Sequence, residues 1–290
     1  MNDDLRSRLN ATRYTSPAEV ARAAERREVR SSLDDSRQLL ILAADHAARG
    51  VIDVGSDRTA MANRLDLLDR LTTALEVPGV DGVLASTDII EDLLLLGALD
   101  GKVVFGSMNR GGLAGAVFEM DDRFTGYTPE SIVASRLDGG KMLLRINLDD
   151  PGTANTLSAC AGAISALAAA RRVAMVEPFM SRRIDGRVSS DLSVEAVIRS
   201  MAIASALGAT SAFTWLKVPV LEDMTRVADA TTLPLLLLGG ARSDDPDAMF
   251  ASWERALALP GVRGLVVGRN LLYPRGDDVA AAVKTAASLL

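Results

Sequence analysis

One histidine and one cysteine are all that this 290-residue chain offers a zinc ion beyond its carboxylates. Mononuclear zinc sites usually draw on two or three His or Cys ligands, so His46 and Cys160 disfavour zinc chemistry. A carboxylate-bound Mg²⁺ is not excluded by that count, but the working expectation is a site without metal or cofactor. The lone cysteine also rules out an intramolecular disulfide, and its Ala-rich surroundings suit a small buried side chain better than a nucleophile. Aromatic residues make up 4% of the chain against 48% hydrophobic, so a core must be built from Ala, Val, Leu and Ile. The longest apolar runs, such as Leu233 to Leu238, are too short to span a bilayer. No basic block stands out, and the formal charge is −6, so neither a nucleic-acid nor a membrane partner is expected. Met1-Asn2-Asp3-Asp4 lacks the basic-then-apolar profile of a secretory leader, and a cytoplasmic location is the matching expectation.

What is present is a rhythm. Short apolar runs recur at Leu39–Ala44, Gly82–Ala85, Val103–Gly106, Met142–Ile146, Val173–Val176, Ala212–Val218, Leu233–Leu238 and Gly264–Val267. Near-continuous apolar runs of this length fit parallel strands buried on both faces. Helical spacing fills the gaps, as at Leu65, Leu68, Leu71 and Leu75, and again over Val194 to Leu207 ahead of Gly208. Eight strand–helix alternations predict an α/β protein, a (β/α)8 TIM barrel over residues 39–290, with a doubly wound sheet as the alternative. Residues 1–38 read as an N-terminal helical extension. Within it, Ser16-Pro17-Ala18-Glu19 has the spacing of a capping box, predicting a helix from about Pro17 to about Arg30. Its charge suits either a cover for the barrel floor or a contact in a homo-oligomer.

In such a barrel, functional groups gather at the C-terminal ends of strands. The first run ends in Asp45-His46, the fifth in Glu177-Pro178, and the sixth carries Lys217. Of 32 basic residues only Lys102, Lys141, Lys217 and Lys284 are lysine. Arginine stays protonated and forms no Schiff base, so lysines kept in an arginine-rich chain stand out. Lys102 and Lys284 fall where solvated surface is expected. Lys217 shares a strand face with Phe213 and Trp215. An amine among apolar walls near a second cation loses its proton more readily and can attack a carbonyl. The competing reading is a structural lysine paired with Glu177. Lys141 is either that second cation or a floor residue. Glu177 is either a proton shuttle or an ion-pair partner. Asp45 either binds a hydroxyl or caps the next helix, and His46 reads as a satisfied structural histidine.

Two loops point to an anion. Gly239-Gly240-Ala241 lets backbone N–H groups approach closely, and Gly268-Arg269-Asn270 adds a charged fork. Loops after the seventh and eighth strands are the frequent phosphate position of this barrel. The long loop Ser107 to Gly126, which includes Arg110, has the length of a lid or binding loop. Ser107, Arg110 and Arg182 join the candidate substrate-binding residues.

With Ala44-Asp45-His46, Lys141-Met142-Leu143-Leu144, Val176-Glu177-Pro178, Leu216-Lys217-Val218-Pro219 and the Gly239-Gly240/Gly268-Arg269 pair in this order, the chain resembles the class I aldolase superfamily. That superfamily includes tagatose-bisphosphate, archaeal-type fructose-bisphosphate and sulfofructose-phosphate aldolases. More closely, the chain is similar to a barrel group associated with inositol catabolism. The resemblance implies Lys217 as Schiff-base nucleophile, Glu177 as proton shuttle, Lys141 as auxiliary lysine and Asp45 as the first-strand aspartate. No tyrosine stands at the end of the fourth or fifth strand, so proton transfer falls to Glu177. The implied activity is that of a lyase in carbohydrate metabolism, cleaving a phosphorylated ketose or keto acid to dihydroxyacetone phosphate and an aldehyde. One such substrate is 5-dehydro-2-deoxygluconate 6-phosphate, which would give malonate semialdehyde. Thiolase- or transaldolase-like transfer on the same lysine, and a non-catalytic phosphosugar-binding barrel, are the alternatives.

Overall fold

All eight apolar runs become strands of one closed parallel barrel. The computed structural model describes residues 3–30, 37–109 and 111–290. The strands are β1 (Leu39–Ala44), β2 (Gly82–Ala85), β3 (Val103–Ser107), β4 (Gly139–Ile146), β5 (Val173–Ile184), β7 (Thr214–Pro219), β8 (Leu235–Leu238) and β9 (Val262–Val267). Neighbours pair in parallel around the ring, β1 closes against β9, and β4 pairs β5 from Gly139↔Val173 to Ile146↔Met180. The ninth strand, β6 (Arg187–Ser190), pairs antiparallel with the far end of β5 and stands outside the ring as a hairpin. The doubly wound alternative is excluded by closure.

Helices α3 (Arg64–Glu76), α4 (Thr87–Leu95), α5 (Pro129–Ala134), α6 (Gly152–Ala169), α7 (Val194–Ser205), α8 (Met224–Asp229), α9 (Pro246–Leu257), α10 (Arg269–Leu272) and α11 (Val279–Ala287) complete the α/β alternation. Several begin at side-chain caps: Asn63 for α3, Ser193 for α7 and Asp245 for α9 accept backbone N–H bonds from the first turn.

Strand alternation divides the core in two. Leu40 and Leu42 face outward into the large cluster shared with the helices, while Leu39, Ile41, Ala43, Phe105, Met175 and Val266 fill the barrel interior. Phe105 and Trp215 meet there at a centroid distance of 5.8 Å. On the same parity follow Asp45, Ser107, Lys141, Glu177 and Lys217, all buried. The period-two rule that packs the lumen therefore also aims these five side chains into it.

The N-terminal extension forms two helices, α1 (Asp3–Thr15) and α2 (Ala18–Arg26). The expected capping box is not made: Pro17 occupies the N-cap without a side-chain bond. Glu19 instead pairs with Arg22 at 2.5 Å, so its carboxylate is drawn along the helix rather than back to Ser16. The extension is tied to segments that precede strands. Buried Arg27 donates to the Lys102 carbonyl at 2.9 Å and also to that of Arg136, and Arg30 pairs with Asp81 at 2.8 Å. Lys102, half-buried rather than freely solvated, donates to the Val80 carbonyl at 2.8 Å. Lys284 is exposed.

Candidate active site

The barrel mouth holds a buried chain of alternating charge. Lys217 Nζ lies 2.7 Å from Glu177 Oε1, and the other Glu177 oxygen accepts from Lys141. Lys141 Nζ continues to Asp45 Oδ2 at 3.2 Å, and the same oxygen accepts from Ser107 Oγ at 3.2 Å. Two cations and two carboxylates thus neutralise one another where neither sign alone would be tolerated. Lys141 turns into the site and is not at the floor. Because β4 begins at Gly139, Lys141 is its third residue, one layer higher than a strand starting at Met142 would place it.

Lys217, Glu177 and Asp45 line a cavity of about 220 Å³ together with Arg49, Leu143 and Phe179. This is below the roughly 300–1,000 Å³ of common ligand pockets, which restricts it to a compact ligand. Larger depressions of about 720 and 630 Å³ lie at Arg70–Tyr273 and along α6, but neither contains the lysine–carboxylate chain.

Gly239, Gly240, Gly268 and Arg269 line the same cavity, following Lys217 in sequence and meeting it in space. A side chain on Gly268 would place Cβ 2.3 Å from the Ala43 carbonyl oxygen, so only glycine lets β9 turn there. Arg269 Nε is buried without a hydrogen-bond partner. Burial lowers the guanidinium's pKa and nearby Asp53 opposes that, yet arginine stays charged. The loop is held by the last residue of the Gly268-Arg269-Asn270 motif, whose clamping role the sequence did not show. Buried Asn270 donates Nδ2 to the Gly239 and Ala241 carbonyls at 2.6 and 3.0 Å and accepts from Ser243 N at 2.7 Å. Its position one residue after Arg269 was the available signal.

Arg49, also missed, stands one 3-10 turn after His46, in the segment His46–Arg49. It donates Nε to the Gly112 carbonyl at 2.8 Å and so connects the mouth to the loop after β3. Arg145 holds that loop too, donating Nε to Asp122 Oδ2 at 2.8 Å and Nη2 to Asp122 Oδ1 at 2.6 Å. Asn109 clamps it onto β4 by exchanging bonds of 2.6 and 2.7 Å with Leu143. Arg110 lies outside the described residues. Arg182 is exposed on the β5–β6 hairpin and does not line the cavity.

His46 is the exception to its expected satisfied role: Nδ1 is buried and has no hydrogen-bond partner. Burial, then the neighbouring Arg269, Lys217 and Lys141 charges, push its pKa down to about 3. Cys160 is buried in α6 and its thiol is pushed up to about 12, as befits a packing residue. Among the described residues no group of three or more His, Cys, Asp or Glu side chains is placed to hold a metal ion. Nor, among them, is any helix long and apolar enough to cross a membrane.

Residues 37–287 match the profile of the Cgl0159-like family. The chain belongs to that family. A crystal structure of Cgl0159 from Corynebacterium glutamicum is 55% identical over 100% of this chain and 97% of its own, with a TM-score of 0.97. An archaeal fructose 1,6-bisphosphate aldolase superposes with a TM-score of 0.65 at 18% identity, over 93% of this chain and 98% of its own. A Schiff-base-forming fructose-1,6-bisphosphate aldolase gives 0.65 at 20% identity, over 93% and 99%. At those identities the aldolases share the fold with this Cgl0159-like chain. No curated protein matches it.

Proposed function

We propose that this Cgl0159-like protein is a class I aldolase, a lyase that forms a Schiff base on Lys217. The observation that carries the reading is the placement of the Lys217 amine 2.7 Å from Glu177 at a cavity that also contains Arg269. The pair gives the ammonium proton a place to go, and the freed amine can attack a ketone to form a carbinolamine. Glu177 returns that proton to the carbinolamine hydroxyl, which departs as water and leaves an iminium beside a carboxylate again free to accept a proton. Glu177 then takes the proton from the hydroxyl beyond the scissile carbon–carbon bond, and the bonding electrons flow into the iminium. The aldehyde half departs. Protonation of the enamine and hydrolysis release the ketone half and restore the lysine.

Lys141 would hold Glu177 in place and share its charge, and Asp45 with Ser107 would bind a substrate hydroxyl. Gly239, Gly240, Gly268 and Arg269 would take the phosphoryl group. These roles fit a phosphorylated ketose or keto acid with dihydroxyacetone phosphate as the ketone product. 5-Dehydro-2-deoxygluconate 6-phosphate, giving malonate semialdehyde, is the substrate we favour on the resemblance to the inositol-associated group. The shared fold supports the reading, since one archaeal fructose-1,6-bisphosphate aldolase of 18% identity has its catalytic lysine covalently bound to the carbinolamine of its substrate.

Borohydride reduction in the presence of dihydroxyacetone phosphate should leave a covalent adduct on Lys217, located by peptide mass spectrometry. Lys217→Met should abolish it. Absence of any Lys217 adduct in the wild-type protein sinks the mechanism. Product analysis with added acceptor aldehydes or thiols distinguishes cleavage from group transfer.

A further inference from the structure

His46 lies where the two halves of the site meet. It lines the cavity beside Gly268 and Arg269 on one side and Asp45, Glu177 and Lys217 on the other. Its ring is packed on the cradle itself, because a Cβ added to Gly268 would come within 3.0 Å of His46 Cε1. The charged groups acting on it are Arg269, Lys217 and Lys141 as cations and Glu177 as the opposing anion, with Arg269 the strongest of them. Burial first and those cations next disfavour the charged imidazolium, and a neutral ring carries one N–H and one lone pair.

A buried polar nitrogen without a partner is rare in folded proteins and calls for an explanation. Nδ1 of His46 is such an atom. Nδ1 itself is closed off from solvent, but the ring is only partly buried and borders the cavity, so a bound ligand can meet its open edge. Neutrality also removes it as a strong base at physiological pH, which leaves hydrogen bonding as its available chemistry.

We propose that His46 is a binding residue of the phosphoryl cradle, donating a ring N–H to a phosphoryl oxygen beside Arg269. This rests on the reading of Gly239, Gly240, Gly268 and Arg269 as an anion site. It assigns His46 to ligand recognition, distinct from the proton transfer given to Glu177. Arg269 supplies charge, the glycines supply backbone access, and His46 supplies direction.

The test is calorimetric titration of inorganic phosphate into the wild type and the variants His46→Asn, His46→Phe and Arg269→Met, each first confirmed as folded by circular dichroism. Asn keeps a donor near the ring nitrogen, whereas Phe keeps only the shape. His46→Phe should weaken phosphate binding about tenfold, the scale of one hydrogen bond to a charged group. His46→Asn should stay within about threefold of wild type, and Arg269→Met should lose at least as much as His46→Phe. Binding that falls with Arg269→Met but is unchanged in His46→Phe overturns the role of His46 while leaving the cradle intact. Equal losses in His46→Asn and His46→Phe would overturn it too, by showing that shape and not the donor matters. If wild type itself takes up no phosphate, the anion-site reading fails and the proposal falls with it.

Discussion

Replacing Lys141 by Met tests whether the buried charge chain is held by mutual neutralisation. Lys141 serves two carboxylates, donating to Asp45 at 3.2 Å and to Glu177. At an effective dielectric constant of about 20, one unit-charge pair at that separation attracts by roughly 5 kcal/mol. Much of this offsets the cost of desolvating the ions, but removing one partner leaves the cost without the attraction. Glu177 would keep Lys217, and Asp45 would keep the Ser107 hydroxyl. A loss of about 3–5 kcal/mol is therefore expected for Lys141→Met, the range measured when a buried pair is broken. Urea unfolding followed by circular dichroism reads it as a lower midpoint at an unchanged slope. Adding Asp45→Asn neutralises the orphaned anion and should recover about 2 kcal/mol. A single variant within about 1 kcal/mol of wild type, or a double variant less stable than the single, would refute the neutralisation argument.

Two further expectations concern neighbours of that chain. Asn270→Ala removes three hydrogen bonds to the Gly239–Ser243 loop, so phosphate affinity should fall about tenfold and stability by about 2 kcal/mol; unchanged affinity would separate the loop's order from anion binding. For His46, the unfolded chain binds a proton below about pH 6.5 that the folded chain refuses until about pH 3. Between those values acidification favours unfolding, so His46 should steepen the loss of stability by up to about 1.4 kcal/mol per pH unit as pH falls. Above pH 6.5 its contribution is flat. Comparing wild type with His46→Asn across pH 4–8 isolates the effect, and parallel curves would contradict it.

Much of the barrel was legible because its strands are buried on both sides. Burial requires apolar residues at nearly every position, and such runs are visible without any partner. The β5–β6 hairpin escaped because its faces are exposed and polar: Arg182, Arg183, Arg187 and Ser189 offer no apolar run. Its signal was the turn, where Asp185 and Gly186 both take positive φ, of 49° and 78°, as hairpin turns favour. The early start of β4 was hidden by Gly139 and Gly140, a pair that usually breaks strands. There the glycine answers to close approach, since a Cβ on Gly139 would sit 2.4 Å from the Val173 carbonyl oxygen. That displacement is why alternation alone could not decide between mouth and floor for Lys141. The Lys217–Glu177 contact combined two readings that sequence had set against each other, for an ion pair and a proton-transfer pair require the same geometry. The Asn270 clamp and the unsatisfied His46 nitrogen depend on loop coordinates, which no periodicity encodes.

The economy of lysine has a practical side. Lys141 and Lys217 are buried, Lys102 is half-buried and bonded, and Lys284 stands exposed in the last turn of α11. That helix ends beside the segment entering β2, where a Cβ on Gly79 would lie 2.9 Å from Ala287 Cβ. An amine-reactive linker applied to the folded protein would find Lys284 ahead of the other lysines, at the end of the barrel away from Arg269. Coupled through that side chain, the protein would meet a surface by its base and keep its mouth toward solution.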